Sequence, residues 1–342
     1  MNEIAKVRLF DFRTAFDHPV TLWVTVAIAA ALVVAPIIIL ALSRSGRING
    51  ELRKELFRRY LSWLVMVPLM LGPVLLGAFW TIAGIGLLSL FCYREYARAT
   101  GLFREKLLSL VLMLGIVAVT LATLDHWYRL FVALTPLMVA VIAATGLLAD
   151  RPNGYIQRVG LAVLAFLLFG TSMGHLGYFA NDTNYRPYLI LLVLAVEAND
   201  IFAYCCGKLF GRRKLAPNTS PKKTIAGSVG AVILTTLLVV GIGWFLFPAV
   251  TVTAHGINRW QQLRYLAMLG LIISVVGQFG DLMLSAIKRD LGLKDMGKLI
   301  PGHGGLLDRF DSLILVAPAA FHFANYIAGV GLNQPVKILT GA

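Results

Sequence analysis

The sequence predicts an all-α, polytopic transmembrane protein, and three observations predict it. Hydrophobic residues make up 58% of the 342-residue chain and charged residues only 14%, about half the charged share of a soluble globular domain. Mean hydropathy is +0.78. The apolar residues also gather into runs of roughly 20, the length that crosses a hydrocarbon core.

Ten such runs can be marked in order: residues 20–42, 61–78, 79–93, 107–124, 130–148, 159–180, 187–205, 228–248, 265–287 and 312–331. The first is long and lacks a small-residue cleavage pattern, so it reads as a span rather than a removable leader. The second and third form one apolar stretch, which is divided near Gly77. Charge then sets orientation. The stretches 43–60, 94–106, 149–158, 206–227 and 288–311 hold 23 of the 31 Lys and Arg residues. By the positive-inside rule these face the cytoplasm, and both termini face the other side. The alternation holds only if the division near Gly77 is real. Three regions follow: 1–60, a span plus a basic helix; 61–180, a transmembrane helical region; and 181–342, a transmembrane region with polar loops at 206–227 and 288–311.

The stretch 43–60, "SRSGRINGELRKELFRRY", places Leu52, Leu56 and Phe57 at helical spacing among basic residues. It predicts a helix lying along the membrane surface, with docking of an anionic lipid as the alternative. The formal charge of +14 is explained by loops that face an anionic leaflet, plus any phosphate-binding site, more plainly than by nucleic acid. The three cysteines, two of them the adjacent Cys205 and Cys206, give neither a disulfide framework nor zinc spacing.

Two polar loops carry the candidate chemistry. In "EANDIFAYCCGKLFGRRKLAPNTSPKKTIAGSVG", Glu197 and Asp200 share a helix face, with Tyr204 one turn on. Acids within a span are costly and face a polar cavity or a partner; pairing with Lys208 or Arg212 at the surface is the plain alternative. Ser220, Lys222, Lys223 and Thr224 set cations and hydroxyls just before another span. That suits polyphosphate, although a positive-inside anchor explains it about as well. GxxxxGK[ST] is absent.

In "GDLMLSAIKRDLGLKDMGKLIPGHGGLLDRFDS", Asp281, Ser285 and Lys288 line one helical face. Asp308 and Asp311 flank Arg309, and Asp311 alone reads as a helix cap. Pro301, Gly302, Gly304 and Gly305 allow a tight turn with backbone N–H groups near a ligand. His303 among them is a proton donor, a phosphate contact or a loop residue. Carboxylates converging beside lysines and arginines form a layout for a hard cation holding phosphate oxygens. His126, His175 and His322 read as packing residues, and no HExxH, GxSxG or GxGxxG pattern occurs.

The run S-x-x-K-R-x4-K-D-x-G-x4-P-G-H-G-G-x2-D-R-x-D from Ser285 to Asp311 fixes 14 positions over 27 residues. It resembles the signature of phosphatidate cytidylyltransferases, also called CDP-diacylglycerol synthases. A second block is similar too: Asn199-Asp200, Ala203-Tyr204, Gly207, Gly211-Arg212, Pro217, Ser220 to Thr224, and Gly227. The resemblance covers roughly residues 55 to 331. It departs at Ala226, where the family usually carries Glu or Gln.

The resemblance implies attack of a phosphatidate phosphate oxygen on the α-phosphorus of CTP, with pyrophosphate released and CDP-diacylglycerol left in the membrane. Asp281 and Asp308 would hold one or two Mg²⁺ ions with Asp311 in support, and Ser285 and Lys288 would orient phosphate. Lys222, Lys223 and Arg309 would neutralise the phosphates. Asn199, Asp200, Ser220, Thr224, Arg289, Lys294, Asp295, His303, Gly304 and Gly305 would shape the substrate pocket. A homodimer in the bacterial inner membrane, active at the cytoplasmic face, is the expected setting. One substrate is a lipid and the other is water-soluble, so the site must lie where hydrocarbon meets water. The rival readings are a cytidylyltransferase for another lipid phosphate, a weakly active or silent lipid-binding paralogue, and a transporter. A transporter would show paired broken helices in two repeats, and no internal repeat is visible.

Overall fold

Inside a bilayer no water can satisfy the backbone, so each apolar run must close its own hydrogen bonds as a helix. The computed structural model describes residues 3–246, 258–297, 299–300 and 304–332. Nine of its helices are long and apolar enough to cross a membrane, and the chain is an integral membrane protein. These are α2 (Pro19–Arg44), α3 (Gly50–Leu76), α5 (Lys106–Leu124), α6 (Tyr128–Leu147), the segment Tyr155–Asn181, α9 (Tyr185–Phe210), α10 (Ile225–Leu246), α11 (Arg259–Asp290) and α12 (Leu307–Ala328). A short helix, α1 (Glu3–Phe10), precedes them. The segment Tyr155–Asn181 comprises α7 (Tyr155–Ala165), a π-helical stretch Phe166–Ser172, and α8 (Met173–Tyr178).

The expected division near Gly77 is present. Gly77 has φ 139° and separates α3 from α4 (Ala78–Thr100). A Cβ there would meet the Leu9 carbonyl oxygen at 2.5 Å, so the break needs glycine for space as well as conformation. The run 79–93 is the core of α4, but α4 continues into Arg94, Glu95 and Arg98 and is not one of the nine apolar spans.

Two expectations are corrected. The basic stretch 50–60 is not a separate surface helix: it forms the first turns of α3, which is unbroken to Leu76 and capped by Asn49, whose Oδ1 accepts the Leu52 N–H at 2.8 Å. The region boundary at 60 therefore falls within a helix. The loop 206–227 is partly regular as well, with β1 (Lys214–Ala216) pairing antiparallel to β2 (Ser220–Thr224). "SPKKT" is thus a strand that runs straight into α10.

The helices that position the polar residues are α9 to α12, packed through small residues. A Cβ on Gly270 of α11 would lie 2.7 Å from the Thr236 Cα of α10, and one on Gly280 would lie 2.7 Å from the Asp311 backbone carbonyl oxygen of α12. Close backbone approach through glycines is how helices associate where lipid offers no hydrophobic drive. A polar tie stitches the same bundle: Asn199 Oδ1 accepts from Ser274 Oγ at 2.5 Å and from Thr235 Oγ1 at 3.2 Å. Gln278 extends the tie to Ser228. The largest apolar core lies beside it, with Tyr96, Phe166, Phe169, Tyr178 and Phe321 fully buried.

Candidate active site

The site is assembled at the Phe210 end of α9, the Asp290 end of α11 and the beginning of α12, with the hairpin alongside. On α11, Asp281, Ser285 and Lys288 share one face, as their spacing requires. Ser285 Oγ donates to Asp281 Oδ1 at 3.2 Å. Lys223 on β2 pairs with Asp281 Oδ2 at 2.6 Å. Lys288 donates to Asp308 Oδ1 at 2.8 Å. The strand lysine and the first turn of α12 therefore converge on one α11 face.

Gly280 explains how α12 comes so near. Its missing side chain lets the Asp311–Ser312 backbone lie against α11, which sets Asp311 within the electrostatic reach of Asp281, Asp200 and Lys288. Asp311 lies in the second turn of α12, which begins at Leu307, so it is not the cap of that helix. Asp200 is exposed and interacts with Asp281, Lys223 and Arg309. Glu197 lies near Asp200 and Arg309. The cations acting on the α9 acids are thus Lys223 of the hairpin, on Asp200, and Arg309 of α12, on both, rather than Lys208 or Arg212. Arg309 also has a buried Nε with no hydrogen-bond partner among the described residues.

Asp308 is held differently. Its Oδ2 accepts the N–H groups of Met296 at 2.9 Å and Gly305 at 3.0 Å, leaving Oδ1 to Lys288. One oxygen secures the glycine loop, and among the described residues the other is held by an ammonium alone. Gly304 has φ 84°, and a Cβ on it would lie 3.2 Å from Asp308 Oδ2. The loop glycines therefore fold the chain around Asp308.

Other residues expected at the site have structural work in this conformation. Asn199 is 1% exposed and belongs to the helix tie. Thr224 accepts the Gly227 N–H at 3.1 Å and rests against Gly207 and Gly211. Arg289 bridges to the Thr219 and Leu293 carbonyls at 3.4 and 3.1 Å. Ser220 pairs opposite Ala216 in the hairpin, while Lys222, Lys294 and Asp295 are exposed. His303 lies outside the described residues. His126, His175 and His322 stand in an aromatic cluster with Tyr178, Phe131 and Phe321.

Sequence reasoning missed Glu95. Its carboxylate accepts the Leu306 N–H at 3.0 Å and the Leu307 N–H at 2.8 Å. The available signal was an acid two residues past an apolar run, between Arg94 and Arg98.

The donor chemistry suits a hard cation: Asp200, Asp281, Asp308 and Asp311 offer oxygens, and lysines now neutralise two of them. Among the described residues no three acids, histidines or cysteines are gathered tightly enough to hold a metal by themselves. An ion such as Mg²⁺, held there by one or two carboxylates, would need water and substrate phosphates to fill its remaining positions.

A family model described as the cytidylyltransferase family matches residues 57–327. The chain belongs to this family. The match starts in α3 and ends in α12, so the family region holds every site residue above and leaves out α1 and α2. Among relatives, a phosphatidate cytidylyltransferase of Synechocystis is 34% identical over 78% of this chain and 95% of its own length. One from Bacillus subtilis is 32% identical over 62% of this chain and 78% of its own. The uncharacterized protein YnbB of Escherichia coli is 40% identical over 58% of this chain, a match spanning 65% of that protein.

Proposed function

We propose that this cytidylyltransferase-family protein transfers the cytidylyl group of CTP to phosphatidate. A phosphatidate oxygen forms a new bond to the α-phosphorus as the bond to the β-phosphate oxygen breaks, giving CDP-diacylglycerol and pyrophosphate. One observation carries the reading: the Asp281–Ser285–Lys288 face meets Lys223 and Asp308 where the apolar length of α11 ends. A lipid phosphate anchored in the bilayer and a nucleotide from water both reach that depth.

Asp281 and the exchangeable Oδ1 of Asp308 would hold Mg²⁺, with Asp311 in support. When bound, Mg²⁺ supplies charge neutralisation for phosphate oxygens and lowers the cost of leaving-group charge. Lys223 and Lys288, released from their carboxylates, then face the phosphates as counter-ions. Arg309 offers its unpartnered Nε to an anionic oxygen. Lys222, exposed on the strand, adds attraction for the triphosphate. Phosphoryl-type transfers of this kind depend on positioning and charge more than on covalent chemistry. In the bacterial inner membrane, this end of the bundle would face the cytoplasm.

A second reading, transfer to a different membrane lipid phosphate, is favoured by Ala226 in the first turn of α10, where the family usually carries an acid or amide. The test is radiolabelled CTP incorporation by purified protein, with and without Mg²⁺, against phosphatidate and polyprenyl phosphates in parallel. The expected product is CDP-diacylglycerol, formed only with Mg²⁺. Preference for a polyprenyl phosphate would replace the lipid assignment, and indifference to every lipid phosphate would refute both readings.

A further inference from the structure

Glu95 belongs to α4, well outside the four helices that carry the site, yet it closes on the glycine loop. Each carboxylate oxygen takes one of the N–H groups that open α12, from Leu306 and Leu307. Those N–H groups have no partners within their own helix, and the positive end of the helix dipole adds to the attraction. The carboxylate sits between two glycines. A Cβ on Gly305 would come within 2.5 Å of Glu95 Oε2, and one on Gly297 would strike Oε1. Gly305 gives its own N–H to Asp308 Oδ2, as does Met296. The loop is therefore gripped by two acids, Asp308 from inside the site and Glu95 from behind it. Arg94 and Arg98, the neighbouring cations on α4, are exposed; the backbone of the loop is what Glu95 engages.

We propose that Glu95 is a positioning residue: it fixes the first turn of α12 against α4 and thereby sets where Asp308, Arg309 and Asp311 stand. It touches neither substrate nor cation. The activity part of this inference rests on the cytidylyl-transfer reading; the structural part does not.

The test is E95Q, which keeps the shape but replaces one acceptor by an amide NH₂ that faces a backbone N–H. Backbone amide exchange is followed alongside CTP kinetics. Losing a charge-assisted bond should speed exchange at Leu306 and Leu307 by about 10- to 100-fold. Misplacement of the acids should lower kcat by up to about 100-fold, with a much smaller change in KM for CTP, while exchange in α5 and α6 stays at its wild-type level. Wild-type exchange at these two amides, or wild-type kcat, overturns the proposal. Loss of protection spread through α4 to α6 also overturns it, since that is the mark of a general packing residue. Should the wild-type protein transfer nothing while E95Q still frees these two amides, the clamp stands and the transfer reading falls.

Discussion

The two ends of α9 both carry charge, and they use it in opposite ways. At the Tyr185 end, Arg186 donates to the carbonyls of Val74 and Asp11 and to Thr14 Oγ1. Asp182 accepts the N–H groups of Asn184 and Gly331, and Asn181 donates to the Thr123 carbonyl at 2.9 Å. Charge there is consumed by backbone and ties distant segments together. At the Phe210 end, Asp281 is held by Lys223 and Ser285, and Asp308 Oδ1 by Lys288. Carboxylates balanced by flexible ammonium groups can exchange partners for a cation and phosphate, whereas a guanidinium embedded among carbonyls cannot be released without leaving them unsatisfied. The first end is built to stay shut, and the second has the exchangeable charges that the proposed transfer would need.

Breaking the Tyr185 end should have the largest effect on stability. Arg186→Ala removes three charge-assisted hydrogen bonds, leaving the Asp11 carbonyl and the Thr14 hydroxyl without this donor and the Val74 carbonyl to Tyr185 Oη, a loss of about 3 kcal/mol or more. It should lower the thermal midpoint in detergent while the surviving folded protein keeps its transfer rate. A large loss of rate at unchanged stability would erase the contrast. Gly280→Ala should sharpen it from between the ends. Its methyl would press on the Asp311–Ser312 backbone, at a cost of about 1–3 kcal/mol for an overpacked contact, and because Asp311 moves with that backbone, stability and transfer should fall together. A stability loss with full transfer would mean that the spacing of α11 and α12 does not set the site.

How much of this was legible in the sequence depended on whether the cause was local. Hydropathy marked the spans because each apolar run must be helical in lipid, and Gly77 marked the break between α3 and α4. The i, i+4, i+7 spacing of Asp281, Ser285 and Lys288 placed them on one face, and the structure adds Lys223 and Asp308 to it. Composition misread residues 50–60, because a basic amphipathic stretch looks the same whether it lies on a membrane or continues a span. For Asn199 and Thr224, nothing in the sequence reveals that Ser274 and Thr235 both donate to the Asn199 Oδ1, or that Thr224 holds the Gly227 N–H. Glu95 was invisible for the same reason: its partners are backbone amides more than 200 residues away, and backbone amides leave no mark on a sequence.

Asp281 offers the most direct test, since it should matter least to folding and most to chemistry. Asp281→Asn keeps the shape and a hydrogen-bond acceptor for Ser285 but removes the charge that faces Lys223. Mg²⁺-dependent transfer of label from CTP to phosphatidate should fall by about 100-fold or more, the scale of losing one preorganised electrostatic contact, with the thermal midpoint preserved. Transfer at the wild-type rate by a correctly folded Asp281→Asn protein would contradict the assignment of this end of the bundle as the site of chemistry.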